Sequence, residues 1–217
     1  MAFLISTGIK ISRGIIRKYT MLINVTVMVN YNQTLKRNVE AEFNNICRKF
    51  KLSPETRRIF KEYWETKFAP VSKARIEAGG GVFTDVWDKI EDGIRQAIDW
   101  KTSDSVKLVV GSSDADCLDY ASTEHGIYVV VGGQKLSRGL TLDGLSVSYY
   151  LRDTKNVDTL LQMGRWFGYR KGWLDVCRVF TTKQSALDYL EATIVTESFK
   201  QQVAEMNARH ASPRSFG

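Results

Sequence analysis

The sequence has few residues of the kinds that build metal sites and disulfide frameworks. Its 217 residues include three widely separated cysteines and two histidines. No two cysteines have the close spacing of zinc ligands, and an odd number of distant thiols does not form a disulfide framework. We therefore predict no metal site, and we expect the buried, reduced thiols of a cytoplasmic protein at Cys47, Cys117 and Cys177.

Other absences narrow the function classes. No apolar run reaches the ~20 residues that a transmembrane helix needs, so no membrane partner is expected. The amino terminus also lacks the apolar core and cleavage site of a signal peptide. Neither the phosphate-loop motif G-x-x-x-x-G-K-[ST] nor a G-x-G-x-x-G motif between a strand and a helix occurs. The chain alone therefore does not predict a self-sufficient ATPase or a dinucleotide enzyme.

The net charge of +7 is unevenly distributed. Residues 1–51 hold nine basic and two acidic side chains, whereas residues 52–217 hold 22 of each. Two interpretations stay open at this point. The excess forms either a solvated face or a patch that binds a polyanion such as nucleic acid.

Apolar β-rich runs alternate with segments of helical periodicity. Strands are predicted at residues 19–30, 105–113, 126–133, 145–152 and 175–182, and a last helix is predicted from Lys183. The alternation predicts an α/β fold with a mostly parallel sheet flanked by helices. Ligands of such sheets bind at the carboxyl ends of the strands.

Residues 52–101 are predicted as a small helical insertion in a chain that otherwise forms one domain, residues 1–217. Ser53 and Pro54 have the pattern of an N-cap followed by a first helical residue. Thr84 or Asp85 is predicted to cap another helix. Both chain ends are expected to be those of a piece cut from something larger or of a protein that has lost parts.

Two polar segments carry the candidate chemistry. The stretch "GGQKLSRGLTLDGL" (132–145) follows a strand directly, and its glycines let a ligand approach the backbone closely. In the helix predicted over 156–170, Gln162 and Arg165 share a face apart from the apolar stripe, and a guanidinium suits phosphate. The alternatives are an ordinary polar turn for the first segment and a surface salt bridge for the second.

The order of these segments resembles a known motor family. "SRGL", a strand and then "QMGRWFGYR" resemble motifs V and VI of superfamily two helicases. More closely, the block 132–182 looks like the Z-one (Z1) domain, the carboxyl-terminal motor region of helicase-like proteins in bacterial and phage restriction or repair clusters. The resemblance covers most of residues 3–200 and implies a RecA-like helicase carboxyl-terminal lobe.

The resemblance also implies roles for individual residues. Contacts to the nucleic-acid backbone are implied for Thr26, Gln33, Gly133, Ser137 and Arg138. Binding of the nucleotide is implied for Gly139, Thr141 and Asp143. Catalytic contacts to ATP, with an arginine that stabilises charge in the transition state, are implied for Gln162, Arg165 and Arg170.

The sequence departs from the family pattern at two places. Thr141 stands where motif V usually has an aspartate, with Asp143 two residues later. The second arginine of motif VI comes five residues after the first, so either Arg165 or Arg170 is the candidate arginine finger, with a slight preference for Arg165.

The implied function is the second motor lobe of a DNA helicase or translocase, inactive alone. ATP would bind between this lobe and a separate amino-terminal RecA-like lobe, which would hold the phosphate loop and the magnesium ion. DNA, that lobe and a nuclease subunit or domain are the expected partners. Two alternatives remain: a non-catalytic remnant that binds nucleic acid or protein, and a nuclease, for which no paired carboxylates with a lysine are found.

Overall fold

The computed structural model describes seven segments of the chain, residues 1–15, 18–25, 28–78, 85–109, 125–132, 142–151 and 172–208. The helices are α1 (Ala2–Ser12), α2 (Val29–Leu52), α3 (Pro54–Lys67), α4 (Ala69–Glu77), α5 (Trp87–Asp99) and α6 (Lys183–Ala208). The strands are β1 (Lys18–Asn24), β2 (Val106–Val109), β3 (Gly126–Gly132), β4 (Leu145–Tyr150) and β5 (Arg178–Thr181), and a 3-10 helix spans Leu174–Val176.

The five strands form one sheet in the order β2-β3-β1-β4-β5. Every pairing in this sheet is parallel. The predicted α/β fold class is confirmed, and the helix-flanked parallel sheet is consistent with a RecA-like lobe. All strands therefore end on one side of the sheet. We call this row of strand ends the carboxyl edge, and the opposite row, where the strands begin, the amino edge.

The first strand is shorter than predicted. The run 19–30 was expected to be one strand, but β1 ends at Asn24 and α2 already begins at Val29. Phe43 and Phe50 anchor α2 in the core.

The last strand is also shorter than predicted. Residues 174–176 form the 3-10 helix instead of the start of a strand, because Asp175 is held in a buried ion network described below. The strand β5 then begins at Arg178.

One face of the sheet, the apolar face, holds the larger core. Residues such as Tyr19, Val129 and Val147 project from it into a cluster shared with α1, α2, α3 and α5. The helices α1 and α5 approach closely where two glycines meet. A Cβ atom on Gly93 would lie 2.7 Å from the carbonyl oxygen of Gly8, so a larger residue would push the helices apart.

The opposite face, the polar face, has a different composition. It combines buried apolar residues such as Leu22 and Val130 with buried polar ones such as Asn24 and Ser148. The helix α6 supplies Tyr189 close to Tyr150 of this face. Burial and the nearby Tyr150 together raise the pKa of Tyr189 to about 12.

The segment 52–101 is helical, as predicted, and consists of α3, α4 and α5. The Ser53 hydroxyl accepts a hydrogen bond from the Thr56 amide and Pro54 follows it, so the predicted N-cap is confirmed. Of the two predicted caps, Thr84 lies outside the described residues, and Asp85 does not cap α5, because its carboxylate binds Arg13 instead and the N-cap residue is Val86. That the segment is an insertion stays a prediction.

The predicted start of the last helix at Lys183 is confirmed. Among the described residues, no helix has the length and apolar character needed to span a membrane. The described thiols match the expectation in part, since Cys47 is buried and Cys177 is half-buried. Burial raises the pKa of the Cys47 thiol to about 11, which keeps it protonated at neutral pH.

Candidate functional site

The carboxyl edge brings three strand ends together. The strands β3 and β4 both pair with β1, so the ends of β3 and β4 lie about 10 Å apart on either side of Asn24. The Leu151 amide donates a 3.0 Å hydrogen bond to the Asn24 carbonyl oxygen, which extends the pairing one residue past β4. The segments that follow β3 and β4 in the chain therefore begin at neighbouring positions.

Those two segments contain most of the predicted site residues. The segment that resembles motif V follows Gly132, the last residue of β3, and the segment that contains the resemblance to motif VI follows Leu151. Nine predicted site residues lie outside the described part of the chain, and their roles stay predictions: Thr26, Gly133, Ser137, Arg138, Gly139, Thr141, Gln162, Arg165 and Arg170.

Gln33, a predicted nucleic-acid contact, is exposed near the start of α2. It belongs to a set of four exposed polar residues at spacing i, i+3, i+4 and i+7, which places them on one helix face. We call this set the α2 polar face: Asn30, Gln33, Thr34 and Arg37. The sequence pattern did not indicate this face, because residue 30 falls in the run predicted as the preceding strand.

The start of α2 has the electrostatics of an anion-binding surface. Its N-cap residue, Met28, makes no side-chain cap hydrogen bond, and the first turn contains no acidic residue. The partial positive charge of the helix amino terminus is therefore not offset by a carboxylate in that turn. Arg37 lies two turns along and donates a hydrogen bond of 3.5 Å to the Thr34 hydroxyl.

Asp143, the other predicted site residue within the described part, lies at the amino edge. It is exposed just before β4, and its backbone carbonyl oxygen accepts a 2.6 Å hydrogen bond from the Thr20 hydroxyl. The length of β4, about 20 Å, separates it from the carboxyl edge. Its predicted contact with the nucleotide stays a prediction, and the site proposed below does not use it.

Three residues of the polar face form a row at the carboxyl edge. Asn24 pairs with Tyr150, and Tyr150 pairs with Thr181, so the three side chains project from the same face of adjacent strands. The Asn24 side chain has both amide atoms buried without a hydrogen-bond partner among the described residues, and the Thr181 hydroxyl is in the same situation. Nothing in the sequence pattern distinguished this row.

The amino edge, in contrast, contains a saturated buried ion network. The Arg13 guanidinium binds the carboxylates of Asp85 and Asp175, each with one contact of 2.6 Å and one of 2.9 Å. The Ser72 hydroxyl donates a further 2.6 Å bond to Asp175. Burial alone would raise the pKa of Asp175, but the hydrogen bonds from Arg13 and Ser72 outweigh it and hold that pKa below its usual range.

Lys10 is also buried close to this edge. Its Nζ donates a 2.9 Å hydrogen bond to the Gly144 carbonyl oxygen and lies 4.1 Å from the centre of the Trp173 ring. Gly144 has a φ of +66°, and a Cβ atom there would overlap the Lys18 carbonyl, so glycine is required at this turn. The contact fixes α1 to the start of β4.

The basic excess of residues 1–51 is therefore not a single surface patch. Lys10, Arg13 and Lys18 are buried, and Arg13 is neutralised by two aspartates from the rest of the chain. Of the remaining basic residues, Arg37 contributes to the α2 polar face. Among the described residues, no group of three or more His, Cys, Asp or Glu side chains could hold a metal ion.

The chain is an α/β protein with one parallel sheet. The two segments with the candidate site residues follow the carboxyl ends of β3 and β4, which flank the central strand β1. The model of the Z1 domain family matches the whole chain, residues 1–217, and the chain belongs to this family. No curated protein and no solved structure matches it.

Proposed function

We propose that this chain is the second, RecA-like motor lobe of a DNA helicase or translocase-like ATPase. It acts only with an amino-terminal lobe that holds the phosphate loop and magnesium. The observation that supports the proposal is the pairing of β3 and β4 with β1, because the two segments that contain motifs V and VI then leave the sheet at neighbouring positions. This edge is where ligands of parallel sheets bind.

DNA binds at the α2 polar face and at motif V in this proposal. The exposed start of α2 offers backbone amides, Gln33 and Arg37 to phosphate oxygens. Ser137 and Arg138 extend the same backbone contact from motif V, and Gly133 permits a close approach of the strand.

ATP is assigned to the cleft between this lobe and the amino-terminal lobe. Gly139 and Thr141 contact the nucleotide or transmit its state to motif V. Gln162, Arg165 and Arg170 of motif VI face the phosphates, and one arginine stabilises the charge of the phosphoryl-transfer transition state. The protein acts in the cytoplasm, in restriction, repair or phage defence, with a nuclease subunit or domain as a further partner.

The first test measures DNA-stimulated ATPase activity after this chain is mixed with a separately produced amino-terminal lobe. The wild-type chain should raise the rate above that of the amino-terminal lobe alone. In the double variant Arg165→Ala/Arg170→Ala, the stimulated ATPase rate should be lower by about 10³-fold or more. Arg58→Ala, an exposed arginine on α3, is the control and should keep the wild-type rate.

No stimulation, or full stimulation by the double variant, would reject the motor function. DNA binding without stimulation would favour the second candidate, a non-catalytic remnant that binds nucleic acid.

A second test addresses the DNA surface with a fluorescent single-stranded oligonucleotide. Gln33→Ala should weaken binding several-fold because one polar contact to the backbone is lost. Asn44 is an exposed residue about three turns further along nearly the same face of α2, so Asn44→Ala is a matched control without effect. Equal affinities of the two variants would contradict the assignment of this surface.

A further inference from the structure

Asn24 is the buried polar residue at the end of the central strand. It is 0% exposed, and its backbone carbonyl oxygen accepts a hydrogen bond from the Leu151 amide. Both side-chain amide atoms are buried without a partner among the described residues. An unpaired buried amide lowers stability, because its hydrogen bonds with water are lost without replacement.

Other buried hydroxyls, such as those of Ser146 and Ser148, also lack a partner among the described residues. Asn24 differs from them because a donor and an acceptor of one amide are both unpaired, and because it stands at the end of the central strand, between the ends of β3 and β4. At the amino edge, Thr20 of the same strand and the same face donates its hydroxyl to the Asp143 carbonyl oxygen at 2.6 Å. A buried polar group without a partner at such a place requires an explanation in terms of function.

We propose that Asn24 is a positioning residue for ligand binding at the carboxyl edge. Its amide gains its hydrogen bonds only in the DNA-bound state. The inference rests on the proposed function, since it takes DNA as the ligand. Asn24 thereby stabilises the DNA-bound state relative to the free chain, in which the unpaired amide lowers stability.

The chemistry of the amide restricts what it pairs with. Both the donor nitrogen and the acceptor oxygen lack partners, so the partner presents an acceptor beside a donor. Backbone peptide groups and nucleobase edges meet this requirement, whereas phosphate oxygens only accept. The contribution of Asn24 should therefore be independent of salt, in contrast to the phosphate contacts of the α2 polar face.

The test compares the full-length variants Asn24→Leu and Asn24→Ala with the wild type, in thermal unfolding and in binding of a fluorescent single-stranded DNA oligonucleotide. Asn24→Leu keeps the branched shape and the number of side-chain heavy atoms, and it removes the unpaired amide. It should melt at the wild-type temperature or about 2–4 °C above it, and bind DNA about tenfold more weakly. The slope of log affinity against log salt should not change.

Ser146→Ala is the matched control. The Ser146 hydroxyl is equally buried without a described partner, but it lies near the amino end of β4. Its removal should leave DNA binding unchanged.

Two outcomes overturn the inference while the proposed function stands. If both Asn24 variants melt well below the wild type, the amide is already paired in the free chain and its role is structural. If they bind DNA as tightly as the wild type, Asn24 does not contribute to the bound state. Absence of DNA binding by the wild-type chain would instead reject the proposed DNA contact, and the inference with it.

Discussion

The main buried polar groups at the two edges of the sheet are paired to different extents. At the amino edge, Arg13 and its carboxylate partners saturate one another, with side chains no more than 8% exposed, although the nearby Ser146 hydroxyl has no described partner. At the carboxyl edge, the Asn24 amide and the Thr181 hydroxyl are buried without a partner among the described residues. The Arg13 network stabilises the fold, whereas the Asn24 amide leaves both a donor and an acceptor unused.

This difference corresponds to the direction of the strands, which all run from the amino edge to the carboxyl edge. The amino edge receives α1, the start of α5 and the 3-10 helix, whose ends are tied together by Arg13. The carboxyl edge releases the segments with the family motifs. Substitutions at the amino edge should therefore change the free energy of unfolding, and those at the carboxyl edge should change binding.

The largest effect is expected for Arg13→Ala. This change leaves two buried carboxylates without their guanidinium, so the free energy of unfolding should fall by about 3–5 kcal/mol. Urea denaturation measures the change. Ser72→Ala removes one hydrogen bond to the charged Asp175 and should cost about 1.5–3 kcal/mol.

An exposed pair provides the control for this series. Arg58 and Glu55 form a contact of 2.7 Å with both side chains more than 60% exposed, so Arg58→Ala should leave the unfolding midpoint unchanged. An Arg13→Ala midpoint equal to that of Arg58→Ala would show that the amino edge does not stabilise the fold. The folded fraction of Arg13→Ala should bind the oligonucleotide like the wild type.

A smaller effect is expected from acid. The pKa of Asp175 is lower in the folded chain than in the unfolded one, so its contribution to stability is complete above about pH 4. As the pH falls below that value, the unfolded chain binds a proton first and the contribution is lost. The difference in unfolding free energy between the wild type and Asp175→Asn should therefore shrink from pH 5 to pH 2. A constant difference would contradict the assignment.

The sequence pattern predicted the parallel sheet because alternating strands and helices leave few other arrangements. It also predicted the Ser53 cap, which depends on residues three positions apart. It did not predict the Arg13 network, because the partners lie 72 and 162 positions away and no local pattern connects them. Asp85 was taken for a helix cap for the same reason.

The candidate site, like the fold, was predictable from the sequence only in part. The order of strands and motifs placed the site at the carboxyl edge, since that depends only on chain direction. The α2 polar face was detectable from the spacing of Asn30, Gln33, Thr34 and Arg37, but β propensity of the run before it concealed the helix start. The burial of Asn24 was not detectable, because burial without a partner is a property of the packed sheet.

The smallest effect is expected at the α2 polar face, where two arginines at different positions along the same helix can be compared. Arg37 and Arg48 are both exposed on α2 and both donate to the residue three positions earlier, at 3.5 and 3.4 Å. They lie on nearly the same side, about 16 Å apart along the axis. Arg37 is the nearer of the two to the start of α2, which follows the carboxyl end of β1 in the chain.

Arg37→Ala should therefore weaken oligonucleotide binding a few-fold and reduce the slope of log affinity against log salt by about one, because one phosphate contact is lost. Arg48→Ala should change neither quantity, and both variants should unfold at the wild-type urea concentration. Equal slopes for the two variants would mean that the charge of α2 acts as a diffuse field. Unequal slopes would locate the DNA backbone at the edge where motifs V and VI begin, since net charge is the same in both variants and only position differs.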